Sequence, residues 1–417
     1  MRDHRRITNI PLLRQANIQT VLRAIWQHRS VTRRELSELT SLTAPTISNI
    51  TTGLLERRLV TIEGKGTSTG GRQPEVVRFN PLAYYAIGLS LGVYQIKGIV
   101  TDLYGNKIQN CHFTADYHGR QANLIPQLQK IVRDLFQAFP HRERILGIGV
   151  SVPGTVDDQK GVVLNTPIIG EVYGVNLKES LEGEFGLPTY VDNNANLCAL
   201  NETIFGKGKG KRFVVFLFAG FGIGAGLVIN GEIYTGARDA SGEIGHTVIE
   251  MNGKKCYCGS YGCLETVASY PAVFEQYQQK LKVGAEGACP ELIEQSFSIA
   301  GVEKIFGGAK AGDLIARGVL EETGSYIGVA IANILNLLNP DIVIIGGDYL
   351  QARELLAEPI LKAVRLRSWK VVRDTEVVFT DFGLDADVYG GAALVIKRFF
   401  EGSPLGLEFQ NNALPAP

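Results

Sequence analysis

Apolar residues recur along this chain with two different periods, and the change falls near residue 80. In "NIQTVLRAIWQHRS", Ile18, Val21, Leu22 and Ile25 share one helical face. "VTRRELSELTSLT" follows, with Thr32 placed to cap a second helix and Glu35 three residues on to complete a capping box. Leu36 and Leu39 extend that helix's apolar face. A third helix opens at Ser41 or Thr43, with Pro45 in its first turn and Ile47, Ile50, Leu54 and Leu55 facing inward. Two short helices, a turn and a third helix form the helix-turn-helix pattern. "LVTIEGKGTSTGGRQPEVVRFN" then reads as two strands joined by a glycine-rich tip, a wing.

Past Asn80-Pro81 strands and helices alternate. "YYAIGLSLGVYQIKGIVTDLYGN" is two apolar runs about a glycine turn, and "ANLIPQLQKIVRDLFQAF" is an amphipathic helix. "ILGIGVSVPGTVD" is a buried strand closing on a Pro-Gly turn, and "PTYVDNNANLCALNETIFG" a strand followed by a helix. A second set opens at "RFVVFLFAGFGIGAGLVINGEIYTG" and ends with the helix "YIGVAIANILNLLNP", the strand "DIVIIGGD" and the helix "DVYGGAALVIKRFF". The alternation predicts an α/β body of two lobes with a cleft between them. The expected divisions are a winged helix-turn-helix at 1–80, a first lobe at 81–196 completed by helix 387–400, a second lobe at 197–386, and a frayed tail at 401–417. Ligands in such folds lie beyond the carboxyl ends of strands, which gathers 151–154, 192–196, 220–226 and 346–347 around one cleft.

A length of 417 residues exceeds one ordinary core, and 45% apolar with 20% charged residues fits a soluble globular protein. The longest uncharged run, 213–230, carries four glycines and reads as two buried strands rather than a membrane span. The N-terminus shows no apolar signal region, so a cytoplasmic, reducing setting and no membrane partner are expected.

Net charge is zero overall but not locally. Residues 1–80 hold 13 Arg/Lys against 6 Asp/Glu, a balance of +7, and the remainder balances at −7. Such asymmetry predicts a basic head for a polyanion. The outward residues of the third helix, Thr43, Ala44, Pro45, Thr46, Ser48 and Asn49, are small or polar, which suits entry into a major groove and contact with base edges. Arg72 at the wing tip is placed to reach a phosphate or a narrow minor groove. Operator DNA is the expected partner; a protein-binding module with a solvated basic face is the alternative.

"CYCGSYGC", residues 256–263, packs three of the chain's six cysteines into eight residues, and His246 precedes it by ten. Three thiolates and an imidazole, Cys256, Cys258, Cys263 and His246, make a tetrahedral zinc set with no open position, hence structural Zn2+. A disulfide and idle buried thiols are the alternatives. The lone Cys111, Cys198 and Cys289 read as ordinary buried residues. Glu243 and Glu265 flank the cluster. With one imidazole nitrogen on zinc, the other faces a ligand; two carboxylates beside it suit a polyol, whose hydroxyls need acceptors. Alternatively the two glutamates only orient zinc ligands.

"SGEIGHTVIEMNGKKCYCGSYGCLE" closely resembles the signature of the ROK family, which joins sugar-responsive repressors, uncharacterised reading frames and sugar kinases. "VPGTV", "NNAN", "GFGIGAG", "LLNPDIVIIGGD" and "GGRQP" resemble further family segments, over roughly residues 10–400. The resemblance implies an actin-like, ribonuclease H-like sugar-kinase body, a repressor's winged helix, and dimers or tetramers. It also implies a sugar-facing set of Asn193, Glu243, His246 and Glu265. Where the family's kinases carry a general-base Asp, this chain has Asn194, which cannot take a proton. Asp192, two residues earlier, need not point the same way. Where they carry an acid and a Gly-Gly-Thr-like turn for magnesium and phosphate, it has Ser90, Gly92, Val93 and Tyr94, and Phe221 replaces a Thr in the second turn. No catalytic residue is assigned. The expected function is a repressor whose body binds a sugar without phosphorylating it. The alternatives are an active sugar kinase with a fused DNA-binding head, and a regulator whose body only docks another protein.

Overall fold

A computed structural model describes residues 10–65, 75–116, 123–166, 169 and 172–402. The head comprises α1 (Ile10–His28), β1 (Ser30–Thr32), α2 (Arg33–Thr40), α3 (Ala44–Glu56), β2 (Val60–Lys65) and β3 (Glu75–Phe79), its strands ordered β1-β3-β2. Thr32 caps α2 in the expected box: its hydroxyl accepts from Glu35 N at 3.2 Å and its N–H donates to the Glu35 carboxylate at 2.7 Å. Ser41 ends α2 in the left-handed region, φ 58°, so it does not start α3. Thr43 does, but its hydroxyl pairs with that of Thr46 at 2.9 Å instead of capping the helix. Ile47, Ile50 and Leu54 are buried as expected, and Leu55 is half-buried. Leu39 is not on the core face; it is 51% exposed, because the eight residues of α2 turn only Leu36 fully inward.

The first lobe runs through β4 (Tyr85–Leu91), β5 (Gln95–Asp102), β6 (Lys107–Thr114), α4 (Leu124–Ala138), β7 (Ile145–Val152), β8 (Thr155–Asp157), β9 (Val162–Asn165), β10 (Val175–Asn176), α5 (Leu177–Phe185) and β11 (Thr189–Asn193). After α6 (Asn194–Phe205), the second lobe has β12 (Phe213–Ala219), β13 (Ile223–Ile229), β14 (Glu232–Ile233), α7 (Glu265–Ala268), α8 (Tyr270–Lys282), α9 (Ile299–Ala311), α10 (Leu314–Leu338), β15 (Ile342–Gly346), α11 (Arg353–Arg367), β16 (Glu376–Phe379) and α12 (Ala386–Glu401). The run 213–230 is the β12–β13 hairpin, and no helix of the described residues is long and apolar enough to cross a membrane.

The two large sheets repeat one plan. Their orders are β11-β7-β4-β5-β6 and β14-β13-β12-β15-β16. In each, a hairpin pair is antiparallel and the two later strands join in parallel. The helix that follows each sheet's last strand crosses to the other lobe. α6 packs on β12 and β13, α12 packs on β4 and β7, and the two helices pack on each other. The expected division at 196/197 therefore falls inside α6, and Glu401, expected in the tail, is the last residue of α12. The contact of α12 with its sheet is backbone on backbone. A Cβ at Gly149 would lie 1.9 Å from the Gly391 carbonyl, so only glycine fits there. Cys111, on edge strand β6, is half-buried, unlike Cys198 and Cys289, with its Sγ 3.7 Å from the Ile131 carbonyl of α4. Residues 403–417 and the wing tip with Arg72 lie outside the described residues.

Candidate functional site

The cleft is a cavity of about 1210 Å³ between the lobes. Its walls include Ser90, Tyr94, Lys97, Asn193, Asn194, Phe221, Glu243, His246, Tyr257, Glu265, Asp348 and Asp387. The strands end here because each lobe's sheet delivers its carboxyl edge and the crossing helices begin here: Asn193 and Asn194 stand at the β11–α6 joint.

At one end lies the cysteine cluster, on the loop between β14 and α7. The donor atoms of His246, Cys256, Cys258 and Cys263 all lie within 4.8 Å of one another. Cys256 Sγ is 3.6 Å from His246 Nδ1 and Cys258 Sγ is 3.7 Å from Cys263 Sγ. A tetrahedron with metal–sulfur bonds of 2.3 Å has edges of about 3.8 Å, so the set fits a metal ion. The same separations are far from a disulfide. Burial, with the neighbouring sulfurs, pushes the Cys263 thiol up to about 12; a divalent cation among the sulfurs reverses that cost. The loop closes tightly: Gly262 has φ +67°, and a Cβ there would sit 1.7 Å from the Glu250 carbonyl. Cys256 N–H donates to Ser260 O at 2.8 Å.

His246 thus turns Nδ1 to the sulfurs and Nε2 to the cleft. Nε2 lies 3.9 Å from Glu243 and 3.2 Å from the Tyr257 hydroxyl. Glu243 is held up in pKa by burial. Glu265 is buried and accepts from Ile223 N–H at 2.8 Å, which fixes its carboxylate from the β13 side. The structure brings Glu243, His246 and Glu265 together. Asn193 lines the same cleft, but its amide is largely engaged by the fold: Oδ1 caps α6, accepting from Ala195 and Asn196 N–H at 2.8 and 3.3 Å, and Nδ2 donates to Gly154 O at 2.8 Å.

Asn194 faces the cleft and Asp192 does not. Asp192 is buried; one oxygen accepts from Asn193 N–H at 2.6 Å and Asn196 Nδ2 at 3.0 Å. Burial pushes its carboxyl up to about 6.

At the other end sequence reasoning found Ser90, Val93, Tyr94 and Phe221 but missed the charges among them. The Ser90 hydroxyl donates to Asp387. Lys97 Nζ donates to Asp385 at 2.9 Å and Leu384 O at 2.6 Å. Asp348 accepts from Phe221 N–H at 3.1 Å. Burial raises the pKa of both Asp348 and Asp387. Asp348 belongs to the quoted "GGD", a signal that was legible; Lys97, at an unremarkable strand position, left none.

On the head, Thr43, Ala44, Pro45 and Asn49 are exposed and Thr46 and Ser48 half-buried, all on the first turns of α3. The head is fastened to the first lobe. Trp26 packs against Phe400 at 4.8 Å between ring centroids and against Phe205 at 6.3 Å.

The ROK family model matches residues 86–398. The chain is 30% identical to the xylose repressor of Bacillus spizizenii over 95% of this chain and 98% of that one. It is similar to the crystal structure of a ROK family transcriptional regulator, a homolog of the E. coli MLC protein: TM-score 0.80, 28% identity, 94% of this chain and 98% of the other. The ROK glucokinase of Streptomyces griseus, solved with glucose and AMPPNP, matches with TM-score 0.66 and 27% identity, but over 74% of this chain and 98% of its own. With the body matched by the family model, and a repressor and a regulator matching the chain head included, the protein belongs to the ROK family.

Proposed function

We propose that this protein is a DNA-binding transcriptional repressor whose body binds a sugar effector without phosphorylating it. α3 enters the operator's major groove through Thr43, Ala44, Pro45, Thr46, Ser48 and Asn49, and Arg72 in the wing contacts the backbone or minor groove. The cluster His246, Cys256, Cys258 and Cys263 holds a structural Zn2+ that stiffens the loop and aims His246 Nε2 at the cleft. Glu243, His246 and Glu265 receive the sugar's hydroxyls, with Asn193 at the margin. Operators read by such heads are two-fold, so the working unit is a homodimer or homotetramer. Closure of the lobes on the sugar changes the spacing of the heads, to the extent that the sugar binds one state more tightly.

The observation that carries the reading is the pair Asn194 and Asp192. The residue facing the cleft is a carboxamide with no basicity, and the nearby carboxylate is turned into the protein, bonded to Asn193 and Asn196. Lys97 and the acids around it support it, since at the far end the carboxylates of Asp385, Asp387 and Asp348 are occupied by Lys97, Ser90 and the Phe221 N–H.

The likeness to a glucokinase solved with AMPPNP favours one other reading, an active sugar kinase with a DNA-binding head. Incubation of the purified protein with labelled ATP and a panel of hexoses and pentoses separates the two. We expect no phosphorylated sugar, while the same sugars raise the melting temperature and alter operator binding. Turnover abolished by Asp192→Asn establishes the kinase instead. A body that only docks another protein shows no heat or stabilisation with any sugar.

A further inference from the structure

Tyr257 stands between two of the clustered cysteines, and its hydroxyl reaches the wall of the cleft. The oxygen lies 3.2 Å from His246 Nε2, with Glu265 on the same cleft wall. The phenol ring meets the imidazole edge-on, 5.1 Å between centroids at 83°. His246 Nδ1 is turned to the cysteine sulfurs, and with the proposed Zn2+ on Nδ1 the ring proton is on Nε2. Nε2–H then donates to the phenol oxygen.

A hydroxyl that accepts from this imidazole, with a carboxylate on the same wall, is what a sugar would bring to these two residues. The rest of the side chain is placed oddly for a structural tyrosine. Tyr257 is 63% exposed, so the hydroxyl is engaged while the apolar ring meets solvent, the reverse of the usual buried ring with a wet hydroxyl. Swinging the ring out thus sacrifices little burial.

We propose that Tyr257 is an internal stand-in for the effector: in the empty protein its phenol holds the hydroxyl position at His246 and Glu265, and an aldose must displace it to bind. This rests on the proposed sugar site and deepens it. The phenol makes Tyr257 a specificity-determining residue, because a sugar gains net affinity only by replacing the phenol's hydrogen bond to His246. A sugar that cannot present a hydroxyl there leaves the phenol in place. The apparent affinity for every sugar is reduced by the fraction of molecules with the ring in.

The test is calorimetry on the full-length, zinc-loaded protein with xylose, glucose and N-acetylglucosamine, wild type beside Tyr257→Phe. The variant keeps the ring and removes only the competing hydroxyl. We expect its best sugar to bind roughly fivefold tighter, the exchange of one hydrogen bond. Tyr257→Leu, which removes the ring as well, should also bind tighter, and zinc content measured on all three verifies an intact loop. Sugar binding to the wild type with equal or weaker binding to Tyr257→Phe overturns the stand-in and leaves the sugar site standing. No heat with any of the three sugars in any of the proteins overturns the sugar site, and the stand-in with it.

Discussion

The indole Nε1 of Trp26 donates to the carbonyl oxygen of Leu103 at 2.9 Å, a bond from the head's first helix to the strand end of the first lobe. The same helix reaches the end of α12: Arg23 donates to Phe400 O at 3.2 Å and Gln19 to Glu401 O at 3.1 Å. The other end of α12 is at the cleft, where Asp387 takes the Ser90 hydroxyl. One helix of 16 residues, about 24 Å long, thus touches both the cleft and the head.

Trp26→Phe removes that bond and leaves the Leu103 carbonyl without its indole donor. A stability loss of about 1–2 kcal/mol is expected in chemical denaturation. Operator binding without sugar should persist, while the change in operator affinity caused by sugar shrinks. Gel-shift titrations with and without the effector check this. An undiminished response would show that the Trp26 junction plays no part in the coupling.

Cys258→Ala removes one of the four proposed metal donors. Zinc content measured by mass spectrometry should fall from one ion per chain towards none, and the sugar response should fall with it. A strong chelator applied to the wild type should reproduce both losses. Full zinc occupancy in the variant would take Cys258 out of the ligand set.

Asp192 gives a pH signature. Its carboxyl, pushed up by burial to about 6, holds its proton more tightly in the folded chain than in the unfolded one. Its contribution to stability is therefore complete below the ordinary carboxylate pKa and is lost as pH rises through about 6. Asp192→Asn keeps an acceptor for Asn193 N–H and Asn196 Nδ2 and cannot ionise. The variant should be more stable than wild type by about 2–3 kcal/mol at pH 8 and nearly equal to it at pH 4. Denaturation curves at the two pH values decide it, and sugar affinity should not change.

Asn49→Ala on α3 should weaken operator binding by about 1–3 kcal/mol if Asn49 meets a base edge, with sugar affinity unchanged. Arg72→Ala should act differently, lowering affinity for all sequences and reducing the salt slope of binding by about one. Fluorescence anisotropy across a salt series separates the two. An Asn49→Ala variant with wild-type operator affinity would remove the α3 face from the interface.

Much of this protein is written in short-range pattern. The helical faces of the head, the capping box at Thr32 and Glu35, and the alternation of strands and helices follow from residue spacing, since helices and turns are fixed by neighbours a few positions away. The cysteine set was equally legible, because three of its four donors lie within eight residues and a metal ion demands a known chemistry of them. The return of the last helix to the first lobe was expected, but not the crossing of α6, which packs on β12 and β13 of the second lobe. Nor did periodicity give the ion pair of Lys97 with Asp385, or the Ser90–Asp387 bond, whose partners are 288 and 297 residues apart. The inward turn of Asp192 and the reach of Tyr257 to His246 belong with them. Such contacts exist only once the two sheets have closed on each other, and no local pattern records where a side chain points across a cleft.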